Sequence, residues 1–218
     1  MKKYLLAVLA SFSIDSNADT EISSCQQQGK TYAECSQEAE KKIIAGTDSL
    51  VVRDNNKLIL KPLKAANPEM ELVDGELQYT LKAHYPDQKI SLISVSGWEY
   101  FTAYIYHHEY GAYREAFDEI RFSEDGHFLV AFGDDIEAGF APNAVAIYEL
   151  GDWPELMVQF QNMNFGVSDA AFISDTEVKL EIYFFKAGVE GYAKGECKLV
   201  SRHGLWQFKD VDCAKDAR

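Results

Sequence analysis

Three residues with ligating chemistry stand together in the middle of the chain, His107, His108 and Glu109, and His84 falls on a segment that a neighbouring strand would bring alongside. Imidazole and carboxylate are donors that zinc and copper accept. The spacing argues against a shared ion. Consecutive residues of a strand point to opposite faces, so His107 and His108 reach one metal only if the strand has already ended in a turn. A structural role is expected for them, and no metal ligands are assigned. Asp134, Asp135 and Glu137 offer the oxygens that calcium takes, but the register of an EF-hand loop is missing, which leaves a solvated acidic loop. The sequence carries no Gly-x-Ser-x-Gly elbow, no His-Glu-x-x-His helix, no phosphate-binding glycine loop and no dinucleotide fingerprint. No catalytic residue and no cofactor is therefore predicted. With 35 acidic residues some carboxylates must meet in space, yet spacing alone does not single out a glycosidase pair.

The histidines sit inside a denser feature. The stretch WEYFTAYIYHHEYGAY, from Trp98 to Tyr113, holds seven aromatic rings in sixteen residues. Strand alternation places Phe101, Ala103, Ile105 and His107 on one face, an ordinary core face, and Tyr100, Thr102, Tyr104, Tyr106 and His108 on the other. The tyrosine face has two readings. A central strand covered on both sides uses tyrosine because the ring packs while the hydroxyl finds a partner. An open face of tyrosines is a recognition patch, where rings give contact area at small entropic cost. The candidate binding residues are Tyr100, Tyr104, Tyr106, Tyr110 and Tyr113, with Asp134, Asp135 and Glu137. The candidate contact loops are residues 110–115 and 133–143.

These residues must be held by short strands. After Gly46 the sequence breaks into alternating or apolar runs rich in Val, Ile, Phe and Tyr, which predict strands at 49–53, 58–61, 77–83, 90–95, 99–106, 119–122, 127–132, 144–150, 157–160, 170–173, 178–185, 197–201 and 205–209. Asp54-Asn55-Asn56-Lys57, Asp74-Gly75, Glu124-Asp125-Gly126 and Ser201-Arg202-His203-Gly204 punctuate them as antiparallel hairpin turns. Before Gly46, Thr31 and Glu34 have the spacing of a capping box, and Tyr32, Cys35, Ala39 and Ile43 then recur at helical intervals. The expected fold is all-β, mainly antiparallel, a propeller-like arrangement or sandwich of short hairpins with one N-terminal amphipathic helix.

The N-terminal residues and the cysteines lead to the expectation of a periplasmic or secreted chain. Lys2 and Lys3, an apolar run over 4–14 and Ser16-Asn17-Ala18 predict a secretory signal cleaved after Ala18. That run is shorter than the roughly 20 residues a membrane-spanning helix needs, so no membrane insertion is expected. Cys25 follows Ile22-Ser23-Ser24, which is not a lipoprotein pattern. The expected organisation is a signal over 1–18, a helical segment over 19–46, a single β domain over 47–213 and a tail over 214–218. Four cysteines in an exported chain imply two disulfides. Cys25 with Cys35 and Cys197 with Cys213 is the pairing that crosses least chain, though spacing does not exclude the other two. Loss of the signal removes two lysines and one aspartate, which takes the formal charge from −14 to −15. Such a chain repels nucleic acid and anionic lipid and favours a basic protein partner or plain solubility.

One pattern is more specific. The segment Phe117-Asp-Glu-Ile-Arg-Phe-Ser-Glu-Asp-Gly-His-Phe-Leu-Val-Ala-Phe132, followed by Asn143-Ala-Val-Ala-Ile-Tyr-Glu-Leu150, resembles a blade of WD-repeat or Tol-type propellers. Those blades run a strand into Phe-Ser-Pro-Asp-Gly and close a later strand on a phrase such as Ile-Tyr-Asp-Leu. Residues 169–183 are similar to a degraded second copy. More broadly, the chain resembles exported bacterial β proteins of about this length, through Asn55-Asn-Lys-Leu-Ile-Leu60, Tyr85-Pro-Asp87 and the hairpin at Ser123–Gly126. That resemblance implies a compact, partly propeller-like β domain and carries no activity with it. The expected function is a non-catalytic periplasmic or secreted binding protein, such as an inhibitor or immunity protein for a basic envelope enzyme. The alternatives are an exported hydrolase or carbohydrate-binding protein using carboxylates beside the aromatic strand, and a structural envelope component.

Overall fold

The computed structural model describes residues 18–135, 141–151, 153–161, 163–185, 191–209 and 213, with side chains from Ile22 onward. Residues 1–17 of the predicted signal over 1–18, Glu137 and the tail over 214–218 lie outside the described residues.

Two helices lead. The helix α1 (Ala18–Gln26) has no counterpart in the sequence reading, whereas α2 (Tyr32–Ala45) is the predicted amphipathic helix. The capping box forms as its residue types require. The Glu34 N–H donates to Thr31 Oγ1 at 3.3 Å, and the Thr31 N–H donates to the Glu34 carboxylate at 2.9 Å. Cys35, Ala39 and Ile43 turn inward, and Gly46 closes the helix by donating to the Ile43 carbonyl. A disulfide between Cys25 and Cys35 ties α1 to α2.

Fifteen strands follow among the described residues, in four antiparallel meanders that follow chain order. The first holds β1 (Val51–Asp54), β2 (Lys57–Leu60) and β3 (Met70–Val73). The second holds β4 (Gln78–Tyr85), β5 (Ile90–Gly97), β6 (Tyr100–His107) and β7 (Ala112–Ala116). The third holds β8 (Glu119–Phe122), β9 (Phe128–Gly133), β10 (Ala144–Leu150) and β11 (Pro154–Phe160). The fourth holds β12 (Phe165–Ser174), β13 (Glu177–Phe185), β14 (Tyr192–Arg202) and β15 (Leu205–Phe208), with Cys197 of β14 bonded to Cys213. The fold is all-β, and both disulfides take the least-crossing pairing.

Three apolar cores lie between successive layers. The helices, the first meander and one face of the second enclose Leu58, Leu60, Leu81, Ile93 and Tyr106. The second and third meanders meet over Ala103, Ala131, Ala144, Ala146, Ile90, Leu92 and Ile105. The third and fourth enclose Val130, Phe132, Val145, Ile147, Leu180 and Leu199. Strands of the two middle sheets are thus buried on both faces. That explains why β9 and β10 read as continuous apolar runs rather than alternating ones. It also explains why β9 and β10 place Ala131, Ala144 and Ala146, beside Leu129 and Tyr148, toward the second sheet and Val, Ile and Phe toward the fourth, since small side chains let neighbouring sheets approach closely.

The segment read as blade-like forms β8, β9 and β10 of one meander. Its turn is built from the residues that prompted the reading. Ser123 Oγ and Asp125 Oδ1 lie 2.7 Å apart, Asp125 accepts the His127 N–H, and Gly126 takes φ 71°.

Candidate functional site

The histidines form a buried polar chain. His108 has no solvent exposure, and its Nδ1 lies 2.7 Å from the Lys61 carbonyl, which can only accept. Nδ1 therefore carries the proton, and Nε2, 2.8 Å from Ser91 Oγ, accepts from that hydroxyl. Ser91 in turn accepts from His84 Nδ1 at 3.0 Å. Tyr106 closes the site edge-on at 4.8 Å from the His108 ring, and its hydroxyl donates to the Leu60 carbonyl. Burial pushes the His108 pKa down to about 4, with His84 and His107 acting in the same direction against the hydrogen bond to Lys61. His107 leaves on the other side, where its Nδ1 accepts the Glu109 N–H and its ring lies 4.7 Å from Tyr110. The chain pins the segment after β2 to the second sheet. Among the described residues no three His, Cys, Asp or Glu side chains are grouped to hold a metal ion.

The predicted tyrosine face is graded. Tyr106 is entirely buried and belongs to the core, so it has no surface to offer a partner. Tyr104 is half-buried, packed 4.9 Å from Tyr113 and 6.5 Å from Tyr79. Tyr100 and Tyr113 are exposed, and the Tyr100 hydroxyl donates to Glu115 at 3.3 Å. Tyr110 sits apart, with Lys64 Nζ 5.3 Å from its ring centre. Residues 110–115 are not a loop throughout, because Ala112–Ala116 is the edge strand β7, paired only to β6. On the opposite face Phe101, expected in the core, is 44% exposed and lines a cleft instead.

A cleft of about 850 Å³ opens where the first strands of the meanders converge. Arg53 of β1, Tyr79 to Lys82 of β4, Glu119 of β8 and Val167 of β12 line it, with α2 on one side and residues 133–135 and 141–142 on another. Neither Trp98, Tyr104 nor Tyr106 lines it. Six acidic side chains face three basic ones: Glu40, Asp74, Asp118, Glu119, Asp134 and Asp135 against Lys41, Arg53 and Lys82. Two of the cations are held in place. Arg53 donates to Glu40 at 2.6 Å and 3.1 Å, to Asp74 at 3.0 Å and to the Tyr79 carbonyl. Lys82 lies 3.0 Å from Asp118 and 2.8 Å from Glu119. Burial, then the charges of Asp118, Asp135 and Glu119, push the Asp134 carboxyl upward. Asp135 has a local task as well: its carboxylate accepts the Ala141 N–H at 2.7 Å and its N–H donates to Asn143.

The structure thus brings Asp134 and Asp135 to the cleft together with Asp118, Glu119 and Lys82, three residues the sequence reading did not single out. Trp98 was quoted in the aromatic stretch but not assigned. No protein-family model matches the chain, and no curated protein matches it either.

Proposed function

We propose that this protein is a non-catalytic binding protein of the bacterial envelope, periplasmic or secreted, which receives a basic protein partner at the mouth of the cleft. The observation that carries this reading is the excess of carboxylates there, six against three cations, two of which are already engaged by their neighbours. Desolvation and then the like charges of Asp118, Asp135 and Glu119 push the Asp134 carboxyl upward at the exposed mouth of the cleft, so an incoming ammonium or guanidinium group relieves a repulsion there. The formal charge of −14 extends the same field over the whole molecule and steers a basic partner toward it. Two disulfides and the basic, apolar and small-residue order of residues 2–18 support export. A basic cell-wall hydrolase is the partner class that shares this compartment, which makes inhibition or immunity the specific form of the activity.

The test is titration calorimetry of the purified protein with egg-white lysozyme as a basic hydrolase, and with the same enzyme succinylated to reverse its charge. Saturable one-to-one binding is expected for the native enzyme alone. Replacing Asp118 and Asp134 together by asparagine is expected to weaken it about tenfold. Binding indifferent to the charge of the probe, or none to lysozyme, ends this reading.

A further inference from the structure

The turn between β5 and β6 is built from the wrong residues for a turn. Gly97 pairs with Tyr100, so the connection is the two residues Trp98 and Glu99, and Glu99 is forced into the left-handed region at φ 55°. Two-residue hairpins favour Asn-Gly or Asp-Gly, which reach positive φ at little cost, whereas glutamate pays a steric penalty there. Trp98 is 91% exposed, the most exposed large apolar side chain among the described residues, and leaves a bulky indole in water. Neither choice helps the fold.

The base of the hairpin is held firmly. A Cβ at position 97 would come within 2.7 Å of Leu77 Cδ2 and 3.3 Å of the Glu76 carbonyl, so glycine is what lets the chain before β4 pack against the hairpin. Ser96 and Phe101, one step down each strand, line the cleft, so the tip stands at its lip. Beside the tip along the chain and on the neighbouring strand stand Glu76, Glu99 and Glu115, all exposed and all acidic, and Glu115 meets the Tyr100 hydroxyl, while Arg114 next to it lies over the Trp153 ring. A rigidly based indole among carboxylates is a receptor for a cation, since the tryptophan face is the best aromatic partner for ammonium or guanidinium.

We propose that the β5–β6 tip is the anchor of the interface, with Trp98 and Glu99 receiving a lysine or arginine side chain of the basic partner. This rests on the reading that the cleft binds a basic protein, and it adds which element grips and which side chain is gripped. The occupant is not a second copy of this chain, because two molecules of charge −14 meeting at acidic tips repel.

The experiment replaces Trp98→Asn together with Glu99→Gly, which installs the favourable turn, and measures affinity for egg-white lysozyme by calorimetry and the thermal midpoint by circular dichroism. The midpoint is expected to stay or rise while affinity falls by about tenfold or more, and Trp98→Phe is expected to retain most of the affinity. Affinity within about threefold of the unaltered protein overturns the anchor and leaves the cleft reading standing. Failure of the unaltered protein to bind lysozyme overturns both. Sedimentation showing a dimer that the double replacement dissolves also overturns it, since the occupant is then a second copy.

Discussion

At the scale of single residues, His108 makes a prediction with a definite sign. Its folded pKa of about 4 lies below the ordinary 6.5, so the unfolded chain binds the proton more readily. Stability is then unaffected by this group above about pH 6.5 and falls as the pH drops toward 4, by roughly 3 kcal/mol in full. His84 and His107, also lowered by burial, act in the same direction. Protonated His108 would donate from Nε2, which reverses the bond it now accepts from Ser91 and leaves the serine proton without its present acceptor. Urea unfolding followed from pH 8 to pH 4 is expected to lose stability more steeply in the unaltered protein than in His108→Gln. Parallel slopes for the two would show that the histidine chain is not what titrates. The sequence raised these histidines as ligands and its strand period set them apart. Their actual partner, the Lys61 carbonyl, lies 47 residues away and has no signature of its own.

At the scale of elements, local chemistry was readable and long-range pairing was not. The capping box of α2 and the Ser123–Gly126 turn each satisfy their backbone groups within a few residues, so their residue types announce them. The strands β3 and β7 escaped because Met-Glu-Leu-Val and Ala-Tyr-Arg-Glu-Ala are short edge segments poor in β-branched residues, and an edge asks less of the sequence than a centre. The tyrosine face was undecidable for a related reason. Whether Tyr106 is core depends on the first meander lying over it, and alternation within β6 does not contain that fact. Arg53 is the clearest case. Its guanidinium gathers Glu40 of α2, Asp74 after β3 and the Tyr79 carbonyl of β4, while Glu40 also accepts the Leu81 N–H at 2.8 Å and Asp74 the Tyr79 N–H. Removing the cation leaves a carboxylate that is nearly buried without its counter-charge. Arg53→Met is expected to cost about 3 kcal/mol in urea unfolding, and Glu40→Gln less, since the amide oxygen still accepts from Leu81. Equal small losses would mean that the network is solvated and that α2 is held by its apolar face alone.

At the scale of the whole molecule, charge and shape divide the work of binding, and they can be separated by kinetics. The formal charge of −14 acts at the range of the Debye length, before any side chain is docked, so it governs how often a basic partner arrives. The hairpin tip acts only in contact, after desolvation, so it governs how long the partner stays. Raising salt from ~20 to ~150 mM shortens the Debye length about threefold, and the association rate for lysozyme, measured by surface plasmon resonance, is expected to fall by about tenfold with little change in dissociation. Trp98→Asn with Glu99→Gly removes one acidic charge of many, so it should reproduce the salt slope of association while dissociating faster at every salt concentration. Asp118→Asn with Asp134→Asn should do the reverse in part, flattening the salt slope because it thins the field at the cleft. An association rate independent of salt would mean that the acidity of the chain serves solubility and not encounter. A tip variant that slows association and leaves dissociation alone would mean that the indole helps to orient the approaching partner instead of gripping it.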